Sequence, residues 1–103
     1  MSFPQRTKLA SSWLDAFLCR QVFHEVWLFG SFTTARRYPR DADVLGVYRQ
    51  GQMETARRVG ACARVQFQRE FGLPLHLVLL SVSEVHQVKQ HVENLLISGF
   101  KVR

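Results

Sequence analysis

Apolar residues early in the chain recur at three- and four-residue steps. Leu9, Trp13, Ala16 and Phe17, with Leu14 and Leu18 beside them, repeat in this way across 7–20, which predicts an amphipathic helix. Pro4 fits just ahead of it, where a missing N–H costs nothing. Over 22–29 the spacing changes: Val, Phe and Trp crowd together and close on Gly30, which predicts a buried strand ended by a turn. The segment 31–37 fits one short helical turn, stopped at Tyr38 because a residue preceding proline is pushed out of the helical region. A second strand starts near Asp41, runs through Val44, Leu45, Val47 and Tyr48, and stops at Gln50-Gly51.

The helical period returns over 52–71, with Met53, Ala56, Val59, Ala63 and Phe67 along one side and Glu54, Arg57, Arg58, Arg64 and Arg69 on the others. Gly72 and Pro74 end that helix. The run 75–80 is almost wholly aliphatic, which predicts a third strand, central and covered on both faces. Ser81 or Ser83 can cap a further helix reaching to about Glu93. The apolar tail 95–102, interrupted by Ser98-Gly99, reads as a last short strand or a packed hairpin end. Helices and strands in this order predict an α/β or α+β fold: a small mixed β-sheet with helices packed on it. With no repeat, low-complexity tract or linker, residues 1–103 read as one domain.

Charge adds a direction to this picture. Fourteen Lys and Arg against eight Asp and Glu give a net charge of +6. A content of 47% hydrophobic residues excludes a disordered basic tail, so the charge belongs to a folded surface that attracts phosphates or an acidic partner. No apolar run approaches the roughly 20 residues of a membrane span, and Pro4, Gln5, Arg6 and Lys8 stand where a secretory signal would be turning apolar. The expectation is a soluble, cytoplasmic protein. Cys19 and Cys62 lie in apolar segments with no Cys or His at ligand spacing, so both are expected to be reduced packing residues.

Of the three aspartates, Asp15, Asp41 and Asp43, two stand two residues apart. On a strand they project from one face, with Cβ atoms about 6 to 7 Å apart, and together can hold one or two hard divalent cations. Upstream of Asp41, across a spacer of nine residues, lies Ser31, preceded by Gly30. A strand breaking at Gly30 into a short helix presents free backbone N–H groups to a phosphate, with the Ser31 hydroxyl beside them. A phosphate cradle and paired carboxylates point to phosphoryl or nucleotidyl transfer.

Phe29-Gly30-Ser31, nine residues, then Asp41-Ala42-Asp43-Val44 resembles the signature of the DNA polymerase beta superfamily of nucleotidyltransferases. Length and layout resemble its minimal nucleotidyltransferase group, small proteins paired with HEPN-type toxins. The resemblance implies a nucleotidyltransferase-like fold and transfer of a nucleoside monophosphate, AMP from ATP, to a hydroxyl acceptor on a partner toxin, which would make the protein an antitoxin. It assigns the triphosphate to Gly30 and Ser31, and Mg²⁺ or Mn²⁺ to Asp41 and Asp43. The family's third acid falls at His76, a departure: imidazole suits Mn²⁺ or Zn²⁺ better than Mg²⁺, and it can also act as a general base. His76 reads equally well as a core or rim histidine.

Arg36, Arg37 and Arg40 lie in the spacer and would overhang a bound triphosphate, where guanidinium forks match phosphate oxygens; ordinary solvated loop charge is the competing reading. Arg57, Arg58, Arg64 and Arg69 read as a solvated face or a docking surface. Glu25 and Glu84 are acids that could approach the site. Trp13 and Trp27 read as core. An acceptor must come from a partner protein or a second copy of the chain. The alternative is a catalytically weak or inactive module that binds a partner protein or nucleotide. Nucleic-acid binding ranks last, for the strands lack aromatic-basic interleaving.

Overall fold

A computed structural model of the chain describes residues 3–30, 39–88, 90, 93 and 99–103. The elements run α1 (Phe3–Phe17), β1 (Phe23–Phe29), β2 (Ala42–Tyr48), α2 (Met53–Phe71), β3 (Leu75–Ser81), α3 (Val82–Gln87) and β4 (Phe100–Lys101). The fold is α+β, as the hydropathy pattern predicts. The turn expected over 31–37 and the run 94–98 of the tail lie outside the described residues.

The four strands form one mixed sheet in the order β3-β2-β1-β4. β1 pairs antiparallel with β2 and with β4, whereas β2 and β3 are parallel. Parallel neighbours need a crossover, and α2 supplies it. Its small residues bring it close to the sheet: a Cβ on Gly60 would stand 3.2 Å from Leu77. The helix ends where Gly72, at φ +74°, donates its N–H to the Gln68 carbonyl.

Alternation along each strand divides the sheet into two faces. On one, Val26, Leu28, Val44, Leu75 and Leu77 are buried with Leu14 of α1, Leu18 just past its end, and Ala56, Ala63 and Phe67 of α2. On the other, Leu45 and Val47 pack with Trp27, Phe29, Leu80 and Val85. An aromatic cluster joins the two helices, with Trp13 stacked on Phe17 at 4.7 Å and meeting the Phe67 edge at 5.4 Å.

Several expectations need correction. β3 is an edge strand, not a central one, and its aliphatic run alternates: Leu75 and Leu77 are buried while His76 and Val78 face outward. α1 begins at Phe3 with Pro4 in its first turn, and its buried residues Ala10 and Leu14 are continued by Leu18 just past its end. Leu9 and Ala16, placed on the apolar face by spacing, are exposed, as is Met53 on α2. Cys62 is also exposed, so it is not a packing residue; Cys19 is half-buried, and both thiols are free. Trp13 and Trp27 are half-buried at the margins of the two clusters. Of the two expected caps it is Ser81 that caps α3 (Val82–Gln87), and Gln90 and Glu93 beyond it are also helical. Among the described residues no helix is long and apolar enough to cross a membrane.

Candidate metal centre

Two strand ends meet at one end of the sheet. The starts of β2 and β3 are tied together by the Ala42 N–H, which donates to the carbonyl of Pro74, just ahead of β3, at 3.0 Å. That contact sets the parallel register in which Asp43 stands opposite His76, while Phe29 at the end of β1 stands opposite Asp43 from the other side. Asp41 precedes the first residue of β2 and shares a face with Asp43 by alternation.

The three side chains converge. His76 Nδ1 lies 3.3 Å from Asp41 Oδ2 and 3.5 Å from Asp43 Oδ1. One ligand atom from each residue can be chosen so that all lie within 4.8 Å of one another. Both carboxylates are partly covered and the imidazole is open to solvent. Burial holds the Asp43 carboxyl above the usual carboxylate range, the charge on Asp41 raises it further, and the charge and hydrogen bond of His76 partly oppose both. A divalent cation between the carboxylates would relieve that repulsion. Two oxygens and one imidazole nitrogen fit Mn²⁺ or Zn²⁺ well, and Mg²⁺ through the two carboxylates.

Gly30 belongs to this end of the sheet. It turns the chain out of β1 at φ +79°, and a Cβ built there would collide with Asp43 Oδ2. Glycine is therefore required twice, for the left-handed backbone and for close approach to the carboxylate. The Gly30 turn thus lies directly against Asp43. Ser31, Arg36 and Arg37 lie outside the described residues. Arg40 is exposed immediately before Asp41 and makes no ion pair among the described residues.

Neither Glu25 nor Glu84 joins the cluster. Glu25 pairs with Lys101 at 3.5 Å, and Glu84 closes a capping box with Ser81 at the opposite end of β3. Arg64, assigned by sequence to a solvated face or docking surface, donates to the Leu77 carbonyl at 3.0 Å. The sequence reading located His76 by position but missed its contact with both acids, because parallel register is invisible in a linear pattern.

No curated protein and no solved structure matches the chain. The model of a family of unknown function, DUF6932, matches residues 2–97, and the chain belongs to that family.

Proposed function

We propose that the chain is a nucleotidyltransferase-like protein that transfers a nucleoside monophosphate, AMP from ATP, to a hydroxyl on a partner protein or on a second copy of itself. The observation that carries this reading is the packing of the Gly30 turn against Asp43, whose carboxylate converges with Asp41 and His76. In this reading Asp41 and Asp43 hold a divalent cation, and His76 Nδ1 is the third donor. When bound, the cation supplies charge stabilisation for the phosphates in an in-line displacement. The resemblance assigns Gly30 and Ser31 to the triphosphate, and Arg36, Arg37 and Arg40 would overhang it from the spacer before Asp41. An antitoxin role opposite a HEPN-type toxin follows from the resemblance alone. Cytoplasmic location belongs to the same reading, to which two free cysteines lend support.

The imidazole at the third position favours a second reading, a module that binds nucleotide or partner without transfer. His76 Nδ1 already bridges the two carboxylates, occupying the place between them that a metal would take. Incubation with α-labelled ATP and either Mg²⁺ or Mn²⁺, alone and with the protein that co-purifies, separates the two. Label transferred to protein, and abolished in a folded Asp43→Ala variant, supports transfer. No transfer with either metal, while the co-purifying protein stays bound, leaves the binding module.

A further inference from the structure

At the other end of the sheet a cavity of about 420 Å³ opens where the parallel strands β2 and β3 finish. Tyr48 stands five steps beyond Asp43 along β2, so the cavity lies roughly 16 Å from the candidate metal centre at about 3.3 Å per residue. The carboxyl ends of parallel strands are a common place for a ligand crevice in α/β sheets. The lining includes His24, Tyr48, Arg49, Gln50, Ser81 and Ser83, and no acidic residue among those described.

Two of these side chains are set by local backbone devices. The β1–β2 register runs Phe23↔Tyr48 and then Glu25↔Val47, so His24 is the extra residue of a β-bulge, a feature that re-aims a side chain. Arg49 continues β2 through its N–H to the Val22 carbonyl at 2.8 Å, and its Nε donates to the Arg20 carbonyl at 2.8 Å. Nε is thereby fixed, and the two terminal amino groups have no protein partner among the described residues. A guanidinium held by one nitrogen and free at the other two is prepared for a bidentate acceptor. Glu84, the nearest acid along α3, does not line the cavity, and its Oε1 is occupied by two groups that do, accepting from the Ser81 N–H at 3.1 Å and from the Tyr48 hydroxyl at 3.2 Å.

We propose that this cavity is a binding site for a small phosphate-bearing molecule, with the Arg49 fork as its principal contact and His24, Ser81 and Ser83 as supporting donors. The site stands apart from the proposed transfer chemistry and does not depend on it. A phosphate group provides the paired acceptor oxygens that the fork requires, and the volume leaves room for a compact phosphomonoester.

Backbone amide NMR of the full chain, titrated without divalent metal, tests the proposal using inorganic phosphate and ribose 5-phosphate, with chloride at matched ionic strength as control. The expected result is saturable shifts at residues 24, 49–51 and 81–83, absent with chloride, and an affinity reduced about tenfold or more in Arg49→Gln. Tighter binding of ribose 5-phosphate than of phosphate identifies a phosphomonoester; equal binding identifies free phosphate. An Asp43→Asn variant should bind both probes as the parent does. No saturable shift on the parent chain overturns the site, as do shifts spread over the α2 arginines, or an Arg49→Gln variant with an intact spectrum and unchanged affinity. Because the parent titration is itself decisive, a variant that fails to fold does not rescue the proposal.

Discussion

At the scale of single residues, Asp43 is the position where folding and the proposed chemistry oppose each other. Burial first, then the Asp41 charge, hold its carboxyl above the ordinary range, with His76 pulling it back. A carboxyl raised by folding contributes stability that is full below its unfolded-state value and is lost as pH rises through its folded-state value. Asp43→Asn should therefore stabilise the metal-free protein at pH 7 by about 0.5 kcal/mol after solvent screening, flatten the stability–pH curve above about pH 4, and weaken Mn²⁺ binding. Urea titrations across pH and calorimetry with Mn²⁺ check this; an Asn variant less stable than the parent contradicts it. Gly30 gives a paired comparison with Gly51, since both have positive φ but only Gly30 faces a carboxylate. Alanine at Gly51 should cost about 1 kcal/mol from backbone strain alone, with Mn²⁺ affinity unchanged. Alanine at Gly30 should cost about 1 kcal/mol more, as Asp43 is displaced, and should reduce Mn²⁺ affinity.

At the scale of elements, α3 shows how much a short helix depends on its first turn. Its six residues are too few to be stable through propensity. Ser81 Oγ accepts from the Glu84 N–H at 3.0 Å, and Glu84 Oε1 accepts from the Ser81 N–H, a reciprocal capping box. Ser81→Ala should cost about 1 kcal/mol and speed amide exchange across 82–87 more than in α2; equal acceleration everywhere would place the cost elsewhere. The same hydrogen bonds hold the Glu84 carboxyl below its usual range, backbone bond foremost. Its contribution is thus present above the unfolded-state value and is lost as pH falls through the folded-state value, a loss that Glu84→Gln should remove. The elements themselves were legible because hydrophobic spacing, Gly30, Gly72-Leu73-Pro74 and Ser81 are local signals. The edge position of β3 was not, since an aliphatic run does not say which neighbours it has: Val78 is half exposed although it stands between two leucines. The candidate centre was legible in part for the same reason. The Gly30 turn and the Asp41-Asp43 spacing are local, but the convergence of His76 on both acids depends on a parallel register made by a 19-residue crossover helix.

At the scale of the whole molecule, one side chain joins parts of the fold that the sequence holds far apart. α1 has no basic residue in its last turn, so its terminal carbonyls lack the cation that commonly sits there. Arg103 supplies it from 88 residues further along the chain. The guanidinium donates to the Leu18 and Asp15 carbonyls and to the Phe23 carbonyl at 3.2 Å, and its Nε lies 3.3 Å from Asp15 Oδ1. That last pair lacks hydrogen-bond geometry, so its attraction is electrostatic, and the carbonyl contacts carry the directional binding. The backbone beside it continues the sheet, with the Val102 N–H donating to the Val26 carbonyl at 2.9 Å. Arg103, two residues beyond β4, therefore fastens the end of α1 to β1 and to the β4 edge of the sheet. Arg103→Ala leaves these carbonyls without their charged donor in a largely buried position, which should cost about 2 kcal/mol and lower Tm by roughly 10 °C. Arg103→Lys keeps the charge but cannot reach three carbonyls at once from a single ammonium, so it should recover less than half of that loss. Calorimetric melting of the three proteins decides the matter. If lysine restores the full Tm, charge at the end of α1 is sufficient and the fork is not the tie; if alanine costs nothing, the packing of α1 on the sheet holds the two ends of the chain together without it.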